Sequence, residues 1–354
     1  MAGSGVEPPG PDGGLVVAIE ANFCRVELDQ PGPGGATRLL CTRRSRLAKT
    51  GLAIAVGDRV RVDGVDWASA RAVVDSVAPR RNQLLRPAVA NVDRVVVVVS
   101  LADPAPEPLQ LSRFLIAAEA LGGAVELVFS KADLVDAATH QAWSDRVSAW
   151  GYRAVTLSSR AGDGLAELRQ RLQQPGLSVL CGPSGVGKSS LLNALRPSLD
   201  LRVGAVSGRL RRGRHTTRHV ELFPLGPSAL VADSPGFNQP LLPLTSVSLP
   251  QLFPELRRQL QAAPCRFADC RHLDDPGCVV SEDWERREIY ARCLAEQDSL
   301  AIASGREPRP RGRGVRQRGS GDEPLLDPAL RRQSRRRQRQ GLLVEQDGAE
   351  AELS

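Results

Sequence analysis

Two groups of residues in this chain have types and spacings that imply chemistry. The first is Gly182-Pro183-Ser184-Gly185-Val186-Gly187-Lys188-Ser189, which fits G-x-x-x-x-G-K-S. Glycines in such a loop let successive backbone N–H groups turn toward one point, and the helix that follows adds partial positive charge, so a triphosphate finds its donors without side-chain bulk. Lys188 would reach the β- and γ-phosphates, and the Ser189 hydroxyl would ligate Mg²⁺, with Ser190 beside it at the helix start. The second group is Cys265-x4-Cys270-x-His272-x5-Cys278, three thiols and an imidazole in a short loop rich in Pro, Asp and Gly. That donor set suits one tetrahedral zinc ion with no position left open for catalysis. So short a loop has little core of its own, and bound zinc would supply on the order of 10 kcal/mol of folding free energy.

The elements that must hold the phosphate loop are legible around it. Leu177 to Leu180 enters as a buried strand, and Lys188 to Leu195 leaves with helical spacing until Pro197. Upstream, Val92 to Val99 is a continuous apolar run, as in a strand buried on both faces of a parallel sheet. A helix over Leu111 to Leu121 and a second buried strand, Val125 to Phe129, follow it. Directly after that strand stands Ser130-Lys131-Ala132-Asp133, close to the Asn/Thr-Lys-x-Asp guanine motif. The Asp133 carboxylate would accept from guanine N1–H and the N2 amine, whereas adenine N1 presents a lone pair and is repelled. The Lys131 stem would lie over the base. Serine at the first position imitates threonine and lacks the asparagine amide. A helix over Gln141 to Trp150 and a strand over Arg153 to Leu157 then lead to Ser158-Ser159, where a Ser-Ala loop would brace the base.

Downstream of the phosphate loop, Gly213-Arg214-His215-Thr216-Thr217-Arg218 has the character of a switch segment, in which Thr216 or Thr217 would complete the Mg²⁺ shell. The strand Leu230-Val231-Ala232 then ends in Asp233-Ser234-Pro235-Gly236, an Asp-x-x-Gly in which Asp233 would hold Mg²⁺ through water and the Gly236 N–H would sense the γ-phosphate. In GTPases of the Ras type the guanine motif and the Ser-Ala loop come after these elements. Here they come first, so the domain reads as circularly permuted, which a sheet tolerates when its original ends lie close together.

The 354 residues, 42% of them hydrophobic, are enough for two or three cores, and with 4% aromatics those cores must be aliphatic. Residues 1–14 and 305–354 read as disordered, the latter an Arg-rich tail. Residues 15–80 read as short strands separated by Gly/Pro turns, a small β-barrel of the oligonucleotide-binding type. Arg43, Arg44, Arg46 and Lys49 fall in one loop of it, where they would meet phosphates. Residues 81–91 read as a linker, 92–245 as the α/β nucleotide domain and 246–304 as a mostly helical zinc domain. Within the last, Ser281 to Leu300 is expected as a helix with Trp284, Ile289 and Leu294 toward a core. Cys24, Cys41, Cys181 and Cys293 lie in strand or helix patterns and read as packing. A formal charge of +7 favours a polyanionic partner. No segment has the length needed to span a bilayer and the first residues lack a signal-peptide pattern, so a cytoplasmic monomer with no membrane partner is expected.

Barrel, Leu85-Arg86-Pro87-x-x-Ala90-Asn91-Val92-Asp93, permuted motifs, Gly-Arg-His-Thr-Thr, Asp-x-Pro-Gly-Phe and Cys/Cys/His/Cys together resemble the ribosome small-subunit-dependent GTPase A family over about residues 15 to 300. The resemblance implies a GTPase that binds the small ribosomal subunit and its rRNA late in maturation, is stimulated by it, and leaves after hydrolysis to GDP. It also implies that His215 takes over the task of the water-positioning glutamine, whose place holds Phe237. Arg218 stands where many relatives have a third threonine. A nucleotide-gated RNA-binding module with incidental hydrolysis and a P-loop ATPase are the alternatives.

Overall fold

Five strands begin the chain: β1 (Gly13–Glu20), β2 (Phe23–Leu28), β3 (Arg38–Arg43), β4 (Arg59–Asp66) and β5 (Arg71–Val77). The computed structural model describes residues 13–20, 22–45, 47, 51–85, 88–158, 162–197, 220–233, 247–303, 317–318 and 321–322. The strands pair in the order β1-β2-β3-β5-β4, and β4 returns to β1 to close a barrel. β3 and β5 run parallel and the other pairs antiparallel, which is the five-stranded Greek-key barrel expected of the oligonucleotide-binding type. Alternation puts Val16, Val26, Leu39, Cys41, Val60 and Val74 inside.

The segment expected as a linker contains a small hairpin, β6 (Gln83–Leu85) with β7 (Ala88–Ala90). Its surroundings are densely hydrogen-bonded. Arg80 donates to both oxygens of the wholly buried Asp58 at 2.7 and 2.8 Å. Asn82 exchanges bonds with Val92 and donates to the Leu121 carbonyl, while the Asn91 amide donates to the carbonyl of Gly57.

The α/β part follows as β8 (Arg94–Ser100), α1 (Pro108–Glu119), β9 (Ala124–Ser130), α2 (Ala137–Ala149), β10 (Ala154–Thr156), α3 (Leu165–Leu172), β11 (Gly176–Cys181), α4 (Lys188–Leu195), β12 (Glu221–Pro224) and β13 (Ala229–Asp233). Strand order is β10-β9-β8-β11-β13-β12, all parallel except β12, which runs antiparallel to β13. Val95 to Val98 are completely buried, as the uninterrupted valine run requires of a strand covered on both faces. One side of the sheet packs on Leu168, Leu172, Leu191, Leu192 and Leu195 of α3 and α4. Barrel and α/β sheet are continuous through a single bridge, Ala18 to Glu221. α1 starts three residues earlier than the expected Leu111 because the Glu107 carboxylate caps the N–H groups of Leu109 and Gln110 ahead of Pro108 and its neighbours.

A second unit comprises Ala149–Gly151 together with the chain from Leu244 onward. It contains α5 (Pro254–Ala262) and α6 (Arg287–Ala303), joined by the Cys/His loop. Its core is Leu252, Phe253, Leu256, Tyr290 and Cys293 around a buried ion pair in which Arg286 grips both carboxylate oxygens of Glu255. The Arg286 guanidinium also lies over the rings of Phe253 and Trp150, 4.7 and 4.8 Å from their centroids. The expected helix over Ser281 to Leu300 starts later, at Arg287, and Leu294 faces a groove instead of the core. Residues Gln317–Arg318 and Gly321–Asp322 pair as two short strands, β14 and β15. Among the described residues no helix is long and apolar enough to cross a membrane.

Candidate nucleotide site and metal cluster

β11 ends at Cys181 and α4 begins at Lys188, so the glycine loop fills the turn between a central parallel strand and a helix. Gly182 has φ 141°, and a Cβ there would stand 2.1 Å from the carbonyl oxygen of Val98 on β8. Only glycine lets the loop leave β11 while the two strands stay paired. Val186 is buried and anchors the loop, whereas Ser184 and Gly185 are exposed. Lys188 Nζ donates to the carbonyls of Gly182 and Pro183 at 2.7 and 2.6 Å, so its ammonium lies across the loop a phosphate chain would occupy. Ser189 and Ser190 sit half-buried in the first turn of α4.

The base-side residues come from the ends of neighbouring strands. Ser130 closes β9, opposite Ser100 of β8. Lys131, left-handed at φ 56°, opens a 3₁₀ turn over Ala132–Leu134 that exposes Asp133, and its Nζ donates to the carbonyl of Asp103. Ser130 is 5% exposed and donates to the Val186 carbonyl at 2.6 Å, with the Val99 carbonyl 3.3 Å away. The hydroxyl that departs from the usual asparagine therefore joins the base motif directly to the phosphate loop. Ser158 is buried just beyond β10, in a tight turn where its carbonyl accepts from Gly162 N at 2.9 Å and its N–H reaches Asp163 O at 3.3 Å.

Asp233 is the last residue of β13. Register places Ala232 opposite Val179, so Asp233 lies beside the end of β11 just ahead of the phosphate loop. All these positions fall at the carboxyl ends of adjacent parallel strands, where open α/β sheets bind ligands. His215, Thr216, Thr217 and Gly236 lie outside the described residues.

In the second unit, Cys265, Cys270, His272 and Cys278 bring one donor atom each to within 4.8 Å of all the others. Cys265 Sγ is 3.4 Å from His272 Nδ1 and 3.9 Å from Cys278 Sγ, and Cys278 Sγ is 3.8 Å from Nδ1. Tetrahedral bonds of about 2.3 Å to sulfur and 2.0–2.1 Å to nitrogen give edges of about 3.5–3.8 Å, so the cluster fits one such ion. Backbone N–H groups point at the sulfurs: His272 N to Cys270 Sγ and Val280 N to Cys278 Sγ, both at 3.4 Å. His272 itself is left-handed, at φ 59°.

Two supports had no sequence signal. Asp275 accepts from Arg271 N at 2.9 Å, and the Tyr290 hydroxyl donates to the Arg271 carbonyl at 2.8 Å, tying the loop to α6. Burial raises the thiols of Cys270 and Cys278 and lowers His272, so a metal must displace tightly held protons from sulfur but finds the imidazole already neutral.

The other four cysteines are buried, in line with packing. Of the basic residues expected in the barrel loop, Arg44 is committed to Asp63 and Asp75, Arg43 is exposed at the end of β3, and Arg46 and Lys49 lie outside the described residues.

Sheet order, loop and base motif together define a circularly permuted P-loop GTPase that carries a Cys/His metal-type cluster. The model of a family described as RsgA GTPase matches residues 77–243. A Synechococcus sp. (strain CC9605) protein named small ribosomal subunit biogenesis GTPase RsgA is 57% identical over 291 residues, covering 82% of this chain and 96% of that protein. One of the same name from Thermosynechococcus vestitus is 46% identical, covering 92% and 94%. Among solved structures, YjeQ from Thermotoga maritima matches with TM-score 0.65 and 31% identity, over 81% of this chain and 98% of that one. YloQ, a circularly permuted GTPase, matches with TM-score 0.62 and 27% identity, over 86% and 98%. The chain belongs to the RsgA GTPase family and is a GTP hydrolase.

Proposed function

We propose that this GTPase acts in the cytoplasm, as a monomer, in late maturation of the small ribosomal subunit, binding its rRNA and hydrolysing GTP in response to it. The observation that carries the nucleotide part is the Ser130–Val186 bond, which joins the base motif to the phosphate loop and supports reading them together. The subunit as partner rests on the relatives' name, and the barrel is a fold used for single strands and RNA.

In this reading Asp133 selects guanine through its two N–H donors, with Lys131 over the base and Ser158 bracing it. The backbone N–H groups of Gly182 to Ser189 hold the phosphates. Lys188 exchanges its carbonyl partners for phosphoryl oxygens and stabilises the charge that develops there. Ser189, Asp233 and Thr216 or Thr217 are the residues that would hold Mg²⁺, which when bound would supply charge neutralisation to the phosphates. His215 orients the attacking water and Gly236 reports the γ-phosphate. Cys265, Cys270, His272 and Cys278 would hold one zinc ion, whose role would be to tie the C-terminal loop together and not to take part in the reaction.

His215→Ala tests the coupling. Hydrolysis on subunits should fall about 10²- to 10⁴-fold, the range for loss of a general base, with GTP affinity kept. The variant should then stay on the subunit with GTP. Normal release despite lost hydrolysis would make the chain a nucleotide-gated RNA binder instead.

A further inference from the structure

Beside the Cys/His loop, along the last turns of α6, runs an open groove of about 440 Å³. Its apolar floor includes Leu273, Leu294 and Ile302. Ile302 leaves 62% of its surface exposed, against 40% for Val247 and 38% for Leu300, the other exposed large hydrophobic side chains described in this unit. Three carboxylates line the groove against one cation. That cation, Arg271, is bonded to Asp298 at 2.6 Å, and Asp274, paired with Arg287 at 2.5 Å, still keeps 84% of its side chain exposed. The groove is therefore apolar below and acidic at the rim, in a chain of net positive charge.

Position and composition name an occupant. α6 ends at Ala303, one residue beyond the groove-lining Ile302, so the C-terminal tail is joined to the chain next to the groove. In the tail stands Pro324-Leu325-Leu326-Asp327-Pro328-Ala329-Leu330-Arg331-Arg332, three leucines followed at once by two arginines. About 20 residues separate Ala303 from Pro324. Twenty residues can reach at most about 70 Å when fully extended, well beyond the three helical turns of about 5.4 Å each that line the groove.

We infer that Pro324 to Arg332 docks in this groove in cis, its leucines on the floor and its arginines at the aspartates. The tether holds the segment at an effective concentration on the order of 1 mM. An intrinsic Kd of about 0.1 mM would then keep the groove filled about ten times more often than empty. The docked tail covers the face of the Cys/His loop that Arg271 to Asp275 present.

A photoreactive amino acid placed at Ser299 in the full zinc-loaded chain tests this. The crosslink should join position 299 to residues 324–332 of the same chain, with a yield independent of protein concentration. L325D/L326D, which alters no described residue, should lower that yield about tenfold and raise amide exchange over residues 294–302. Three results would overturn the proposal: a yield indifferent to L325D/L326D, a yield that climbs with concentration and so reports a second copy, or capture of the tail only by added RNA. Unchanged zinc content in the labelled chain guards against a disturbed fold.

Discussion

The phosphate loop and the Cys/His loop both aim polar atoms at one point, yet they are held by opposite means. Residues 182–189 are clamped between a buried strand and a helix, with Val186 locked beneath and Gly182 pressed on β8. Residues 265–278 contribute only Phe267 as a buried apolar side chain and depend on polar ties to Asp275 and Tyr290. The shape of the first loop is therefore set by the strand, helix and core around it. The second has little apolar support of its own, so a bound ion would be its main tie.

Removing the metal should break that comparison most sharply. Chelation, or Cys270→Ser, should cost the second unit on the order of 10 kcal/mol and expose it to protease, while the barrel and α/β sheet keep their own unfolding transition. A single transition that moves as a whole would show that the loops are not independently supported.

Gly182→Ala attacks the other loop. A Cβ 2.1 Å from a carbonyl oxygen, at a φ that L-residues rarely adopt, should cost about 3 kcal/mol and weaken GTP binding while zinc content stays constant. Denaturant midpoints and nucleotide titration measure both. An alanine variant of wild-type stability would mean the strand–loop junction is looser than this geometry.

Both loops were legible in the sequence because each rests on residue types that are hard to exchange: glycine where the backbone turns left-handed, cysteine and histidine where metal-type donors converge. The α/β elements were legible for a related reason, since a run such as Val95 to Val99 has few other uses. Elements made by partnership were not. β12 is four residues long and is defined by its pairing with β13 and β1. α5 is a polar helix whose buried face is mainly Leu256 and a glutamate neutralised by Arg286, thirty-one positions away. The Arg80–Asp58 pair likewise joins residues that no local pattern links. In the sequence Ser130 stands out only as a serine that lacks the asparagine amide, and only the fold shows its hydroxyl at the phosphate loop.

The smallest expected effect belongs to the barrel cysteines. Burial, helped by Asp58, pushes the Cys24 thiol from about 9 up to about 11, and burial with Cys24 nearby pushes Cys41 up to about 12. The folded chain therefore keeps two protons that an unfolded chain releases near pH 9, so their contribution is complete below pH 9 and is lost as pH rises through 11 to 12. Urea midpoints should be level from pH 7 to 8.5 and fall above 9, less steeply in C24A/C41A. A fall of equal slope in that variant would assign the effect elsewhere.

The account's central claim is that one guanine-selective phosphate site is coupled to the small ribosomal subunit. Phosphate release from GTP and from ATP, each with and without purified small subunits, tests it most directly. Slow release from GTP that rises strongly on adding subunits, with ATP inert throughout, is the predicted result. Comparable ATP turnover, or GTP turnover indifferent to subunits, would contradict it.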